Sequence, residues 1–371
     1  MKKLLSYFSV LFLALAVLSS CSKDDEPKQD PFPSELVRGA YIVNYGDYGS
    51  GGASISKYDY DSDKLTNFYY QQQNDELELL SNIQYMYQYD DQVFLLGNMP
   101  DQLITVNPLF EQTVNGLTEQ IEKPRACVAS GDYLYVSCWS ENADWDLMAD
   151  SYIAKYNLTT GTVEETISLP GGPEGLEIVN GKLYAALNFK DSVAVMNLDD
   201  QAISYIVTPA VSSYFIKDPK GNLYVSLLNT YSDPSDQTGL GYINTVTNEL
   251  EEIYPLSGVS TEYASIMAAN NDFTKIYVTA ASYVQDGEGE WNLTGSLSEF
   301  DVATKTFGSD PFISNISGAK GVSVNPVDGK IYVFAGESVT GAGLMKIYNT
   351  AGELLSTKTV GASPAMALFL D

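Results

Sequence analysis

The sequence contains no histidine. That removes Ser-His-Asp and Cys-His nucleophilic catalysis, and it removes histidine-ligated zinc or haem. Arginine is almost as scarce, with only Arg38 and Arg125. Cysteine occurs three times, at Cys21, Cys127 and Cys138, too few for a disulfide framework. Positive charge is outnumbered throughout, with 20 Lys+Arg against 48 Asp+Glu and a formal net charge of -28. Such a field repels polyanions at long range, which excludes a nucleic-acid partner and favours neutral or cationic ligands. Helical periodicity is almost absent after residue 86.

Only one long apolar run is present, Leu4 to Leu18, preceded by Lys2-Lys3. It is too short and wrongly flanked for a membrane span, so residues 1–20 read as an export signal. The closing Leu18-Ser19-Ser20-Cys21 resembles a bacterial lipobox, which implies acylation of Cys21 and a lipid anchor; a plain secretory signal is the alternative. Residues 21–38 read as a flexible acidic tether, because Ser22-Lys23-Asp24-Asp25-Glu26 and the polar, proline-bearing stretch after it cannot bury a core. The lysine followed by acids resembles the surface-export signal of Bacteroidota lipoproteins, implying an outer-membrane, cell-surface address; a generic charged linker is the other reading. Loss of Lys2 and Lys3 with the signal leaves 18 − 48 = −30.

What is abundant is glycine (29) and tyrosine (27), the composition of many short strands joined by turns. One phrase recurs, clearest at Gly131-Asp132-Tyr133-Leu134-Tyr135-Val136-Ser137. Its central aromatic falls at Tyr41, Phe94, Tyr135, Tyr184, Tyr224, Tyr277 and Tyr332, with gaps of 53, 41, 49, 40, 53 and 55 residues. Each interval holds four short strands, so residues 39–371 are expected to form an all-β, seven-bladed β-propeller. With strands lettered A to D outward from the axis, blade three reads Arg125–Ser130, Tyr133–Cys138, Tyr152–Leu158 and Thr162–Leu169. Asn157-Leu158-Thr159-Thr160-Gly161 makes its C–D turn, and the same grammar returns at Asn197–Asp200, Asn244–Asn248, Asp301–Lys305 and Asn349–Gly352. Asp59, Asp61 and Asp63 mimic a calcium loop but lack its glycine and glutamate, so a C–D turn is expected there too. Tyr41 lies on a B-type strand with no A strand before it, whereas Pro364–Leu370 looks like an A strand with nothing after it. The C-terminal strand should therefore join the first blade and close the ring.

B–C and D–A connections of such a meander emerge on one face. The A–B turns are tight, at Gly131-Asp132, Asn180-Gly181, Lys220-Gly221 and Asp328-Gly329, but the B–C connections Asn44–Gly52, Trp139–Asp150, Asn229–Gly239 and Ser282–Gly295 are long. Long loops on one face of a rigid scaffold are where binding usually resides. They carry Tyr45, Tyr48, Trp139, Trp145, Tyr231, Tyr283 and Trp291, read as candidate ligand-binding aromatics; packing of the loops against themselves is the alternative. The residues opening each A strand line the channel mouth: Asn82, Arg125, Glu174, Ser213, Glu262 and Lys320, with an Arg125–Glu174 ion pair as a structural alternative to ligand contact. Asp286-Gly287-Glu288-Gly289-Glu290 reads as an acidic loop tip as readily as a cation site. No catalytic residue, metal ligand or cofactor is assigned. In the expected register Cys127 faces Val136 and Cys138 is a diagonal neighbour, which makes both free, buried thiols.

Two stretches carry a family resemblance. Tyr41-Ile42-Val43-Asn44-Tyr45-Gly46-Asp47-Tyr48-Gly49-Ser50, followed by Ala53-Ser54-Ile55-Ser56-Lys57-Tyr58-Asp59, resembles the first blade of YncE-like surface lipoproteins. Pro124-Arg125 and Gly172-Pro173-Glu174-Gly175 look like that family's blade-opening motifs. Tyr45 and Asp47 stand where the family commonly has Glu and Asn. Members include BtuG-type proteins that capture cobalamin and pass it to a TonB-dependent transporter. The resemblance implies a non-enzymatic capture protein working with such a transporter, with a corrinoid as first ligand. A glycan-binding or protein-interaction propeller is the second reading, and a metal-dependent hydrolase or lactonase the third.

Overall fold

The computed structural model describes residues 34–47, 52–141, 147–229, 237–258, 266–285, 291–336 and 341–371. From Val37 onward the chain is one compact unit of seven antiparallel sheets. Blade three comprises Pro124–Ser130, Tyr133–Cys138, Tyr152–Asn157 and Thr162–Ser168, hydrogen-bonded in that order from A to D. The A strands of successive blades contact one another around the axis. Among the described residues no helix is long and apolar enough to cross a membrane.

Ring closure is achieved by Pro364–Leu370, which pairs antiparallel with Gly39–Asn44 in the register Gly39↔Leu370, Tyr41↔Leu368, Val43↔Met366. Blade one is thus assembled from both ends of the propeller, with Ser54–Asp59 and Lys64–Thr66 outside. No sheet edge is left open at the junction.

The repeat explains the core. Tyr41, Phe94, Tyr135, Tyr184, Tyr224, Tyr277 and Tyr332 are all buried, none more than 5% exposed, because B strands are covered by neighbouring blades on both faces. Opposite the repeat, the C–D turns share one device. The side-chain oxygen of the first residue accepts backbone N–H groups two or three positions on: Asn157 from Thr159 (2.8 Å), Asn244 from Val246 (2.9 Å), Asp301 from Thr304 (2.8 Å), Asn349 from Ala351 (3.0 Å). Asp59 does the same with Asp61 and Ser62, each at 3.0 Å, so the calcium-like triplet is a turn.

Three departures modify the expected pattern. Blade two has three regular strands, Asn82–Tyr89, Gln92–Asn98 and Gln102–Val106; its outer position holds only isolated bridges, Leu103↔Leu117 and Val106↔Gln112. A short helix, Tyr69–Gln73, lies in the connection from blade one to blade two. In blade six the expected B–C loop Ser282–Gly295 is instead a hairpin ribbon: Lys275–Gln285 and Trp291–Asp301 stay paired out to Gln285↔Trp291. The cysteine register holds as expected, with Cys127↔Val136 and Ser130↔Tyr133 paired. Both thiols are free and buried.

Candidate functional site

Each inner strand begins near the face carrying the B–C connections, and six of them carry a β-bulge there. The register shifts at Ile83/Tyr85, Pro124/Cys127, Pro173/Leu176, Ser212/Phe215 and Ala319/Gly321, and on blade one opposite Val43/Asn44. A bulge places an extra residue opposite one partner and re-aims side chains. The displaced residues are Gln84, Arg125-Ala126, Glu174-Gly175, Ser213-Tyr214, Lys320 and Ala365, so the mouth of the channel is set by irregular backbone on regular strands.

The bulge amides are recovered by side chains from the B strands. Ser137 Oγ accepts the N–H of Ala126 at 3.0 Å and donates to the Glu174 carbonyl at 2.7 Å; Ser226 Oγ accepts the N–H of Tyr214 at 2.9 Å. Ser137 and Ser226 each stand two residues after the repeat tyrosine. Gly175 shows why the following bulge residue is glycine: a Cβ there would meet the Ser213 carbonyl oxygen at 2.4 Å.

At the mouth between blades three and four, Arg125 and Glu174 form a bidentate pair, Nε to Oε2 and Nη2 to Oε1, both 2.8 Å. Both side chains are only 8% exposed. The Arg125 guanidinium carbon lies 4.1 Å from the ring centre of Trp139, within cation–π range. Trp139 donates its indole N–H to the Pro173 carbonyl at 3.1 Å and meets Phe189 edge-on at 5.2 Å. The half-buried indole is therefore fixed by blade four while it covers the ion pair.

Elsewhere the residues expected at the mouth are buried. Asn82 is fully buried and donates to the Tyr45 carbonyl (3.1 Å) and the Asp47 carbonyl (2.9 Å), so its amide pins the connection after strand B of blade one. Tyr45 is itself buried at 8% exposure. Its backbone N–H is held by the Ser363 carbonyl at 3.0 Å beside the closing strand. Ser213 and Lys320 are buried at 2% and 5% exposure. Tyr283 and Trp291 lie on the paired strands of the blade-six ribbon, and their side chains lie outside the described residues. So do Cys21, Tyr48, Trp145, Tyr231, Glu262 and the acidic tip 286–290.

Below the mouth, Tyr85 from blade two meets Tyr214 from blade five across the channel. Burial pushes the Tyr214 hydroxyl up to about 12, and Tyr85 rises well above the ordinary phenol value through burial and then through Tyr214. Neither tyrosine was singled out from sequence, since a one-residue bulge decides which of Gln84, Tyr85 and Tyr87 turns inward. Phe189 was missed because its short connection carries no loop signal. Among the described residues, no three His, Cys, Asp or Glu side chains gather as metal ligands.

A family model described as Domain of unknown function (DUF5074) matches residues 38–370. No curated protein matches the sequence. Among solved structures, a quinonprotein alcohol dehydrogenase-like protein from Bacteroides thetaiotaomicron is similar, with a TM-score of 0.67 and 16% identity over 90% of this chain and 78% of that one. A putative 6-phosphogluconolactonase from Bacteroides fragilis gives 0.62 and 12% identity over 92% and 100%. The periplasmic gluconolactonase of Pseudomonas aeruginosa gives 0.60 and 13% over 90% and 99%. At these identities the likeness is one of fold.

Proposed function

The chain belongs to the DUF5074 family, and we propose that it is a ligand-capture propeller rather than an enzyme. On this reading it is tethered to the outer membrane through Cys21, displayed at the cell surface, and works with a TonB-dependent transporter. The favoured ligand is a corrinoid such as cobalamin. The observation that carries the reading is the Arg125–Glu174–Trp139 arrangement. Its two charged groups close on each other at 2.8 Å beneath an indole, an arrangement that leaves them matched to each other and presents aromatic surface at the mouth. General acid–base work needs a group held within reach of a reacting proton and tuned to operate near neutrality. A rigid mouth with aromatic surface suits a bulky, largely neutral ligand. The net charge of -28 is compatible with such a ligand and unfavourable for a polyanion.

Isothermal titration of the lipid-free mature chain with cyanocobalamin, alongside a panel of oligosaccharides and a lactone-hydrolysis assay, separates the three classes. Saturable corrinoid binding without lactone turnover is the expected result. Oligosaccharide binding with no corrinoid response would favour a glycan-binding propeller, and metal-stimulated lactone turnover would overturn the non-enzymatic reading.

A further inference from the structure

A sheet edge invites another strand, because its outer N–H and C=O groups are unpaired. Proteins blunt such edges with charge, with bulges or by keeping them short. The outer strands of this propeller use all three devices. In blade three, Thr162–Ser168 carries Glu164 and Glu165 and shifts register between Val163 and Glu165. In blade five, Glu249–Pro255 carries Glu249, Glu251 and Glu252 and pairs with a shift at Tyr242/Ile243. Blade seven has Lys358 and two shifts along Leu354–Ala362. Blade one ends in the short Lys64–Thr66, and blade six in Thr306–Phe307, with Ile313–Ser317 joined across a shift at Gly295/Leu297.

Blade four has none of them. Its outer strand Ile203–Val207 contains no charged residue and pairs with Ser192–Asn197 without a shift, from Ser192↔Val207 to Met196↔Ile203. Among the described residues, no strand pairs with its other side. Val207 is 76% exposed and Tyr205 43%. Ile206, on the opposite face, is buried in the cluster shared with blade five, and Ile203 packs towards blade three. The Lys190 ammonium lies 3.8 Å from the Tyr205 ring centre and fixes that ring on its face of the sheet. The strand is a flat, apolar, solvent-facing edge in a strongly acidic chain.

We propose that Ile203–Val207 pairs antiparallel with the same strand of a second copy of this chain, joining two propellers edge to edge. The occupant follows from the strand's self-complementarity. Centred on Tyr205, the antiparallel register sets Tyr205 against Tyr205, Ile203 against Val207 and Ser204 against Ile206 of the second copy. Aromatic and β-branched cross-strand pairs of this kind are favourable. A two-fold contact between identical patches closes on itself, so assembly stops at two chains. No pair in this register brings one carboxylate against another. The remaining charges of the two chains are largely screened beyond about 8 Å at physiological ionic strength. The strand offers five residues a side, short of the about 20–30 of a standard interface, so the dimer is weak and concentration-dependent. It shares no residue with the channel mouth and stands whether or not a corrinoid binds there.

Sedimentation velocity of the lipid-free mature chain, over a range of protein concentrations and in low and high sodium chloride, tests the pairing. A reversible monomer–dimer equilibrium is expected. It should tighten as salt rises, because screening removes repulsion while apolar pairing persists. Tyr205→Lys/Val207→Lys restores the charge that other outer strands carry, and should raise the dissociation constant at least about tenfold in a chain that keeps its cooperative thermal transition. Val246→Lys/Val327→Lys adds the same charge at exposed positions elsewhere and should leave the dimer intact. A peptide copying residues 202–208, with lysines added at both ends, should compete the dimer apart. A chain that is monomeric at every concentration and salt overturns the proposal, even where it binds that peptide, since the edge would then serve a foreign strand. A dimer indifferent to the edge lysines overturns it too, because the contact would lie elsewhere.

Discussion

Arg125 illustrates what one residue does in this fold. Its guanidinium is almost out of water, and its two hydrogen bonds to Glu174 are what make that position tolerable. Arg125→Met strands the Glu174 carboxylate, so a loss of about 3 kcal/mol is expected in urea unfolding. Pairing it with Glu174→Leu should recover most of that loss, because no uncompensated charge is left behind. Ligand binding lost in the double variant, despite restored stability, would assign the pair a part in recognition. The pair was legible from sequence because the two residues open inner strands of neighbouring blades. Its cover was not, since Phe189 and the Trp139 indole bond to Pro173 depend on tertiary placement. The two thiols follow the same logic of burial. Desolvation pushes the Cys138 thiol up to about 12 and Cys127 well above the ordinary range. The thiolate is the reactive form. Ellman's reagent should therefore leave both unmodified in the folded chain and react with both after unfolding.

Elements here are held by junctions more than by their own length. The closing strand Pro364–Leu370 supplies the whole inner edge of blade one, and Tyr41 opposite Leu368 sits in the core. Removing residues 364–371 is expected to abolish the cooperative thermal transition; a truncated chain that melts like the intact one would contradict the closure. At the mouth, Gly175→Ala forces a methyl group against the Ser213 carbonyl, so it should destabilise by about 1–3 kcal/mol. The phrase that repeats along the sequence was readable as scaffold. The reason for its terminal serine was not, since Ser137 and Ser226 act by clasping bulges that belong to other strands. Blade six departs from its sequence signal for a local reason. Gly287, Gly289 and Gly295 and the acidic residues among them look like a loop, yet cross-strand pairing continues through Ser282↔Thr294 to Gln285↔Trp291. Blade two has the same Asx-bonded turn at Asn107–Glu111, yet only isolated bridges follow it.

Across the whole molecule, stability is tied to buried tyrosine. Burial raises the hydroxyls of Tyr184, Tyr214, Tyr224, Tyr277 and Tyr332 to about 12. In the unfolded chain they titrate near about 10. A folded pKa above the unfolded one gives a contribution that is complete below about pH 10 and disappears as pH rises towards about 12. Unfolding midpoints in urea should therefore fall steeply across that interval, with tyrosinate absorbance rising together with loss of near-ultraviolet dichroism. The seven-fold ring was legible because its repeat is carried by a buried aromatic at intervals of 40 to 55 residues. The shape of the mouth was not, because it depends on bulges, each a one-residue event invisible to periodicity. The most direct measurement is tryptophan fluorescence during titration with cyanocobalamin, since Trp139 stands at the mouth where the ligand is proposed to arrive. Saturable quenching at sub-micromolar concentration, weakened at least about tenfold by Trp139→Ala in a chain that still folds, is the expected result. A flat titration after correction for corrinoid absorbance, with the propeller intact by its thermal transition, would contradict corrinoid capture at this face.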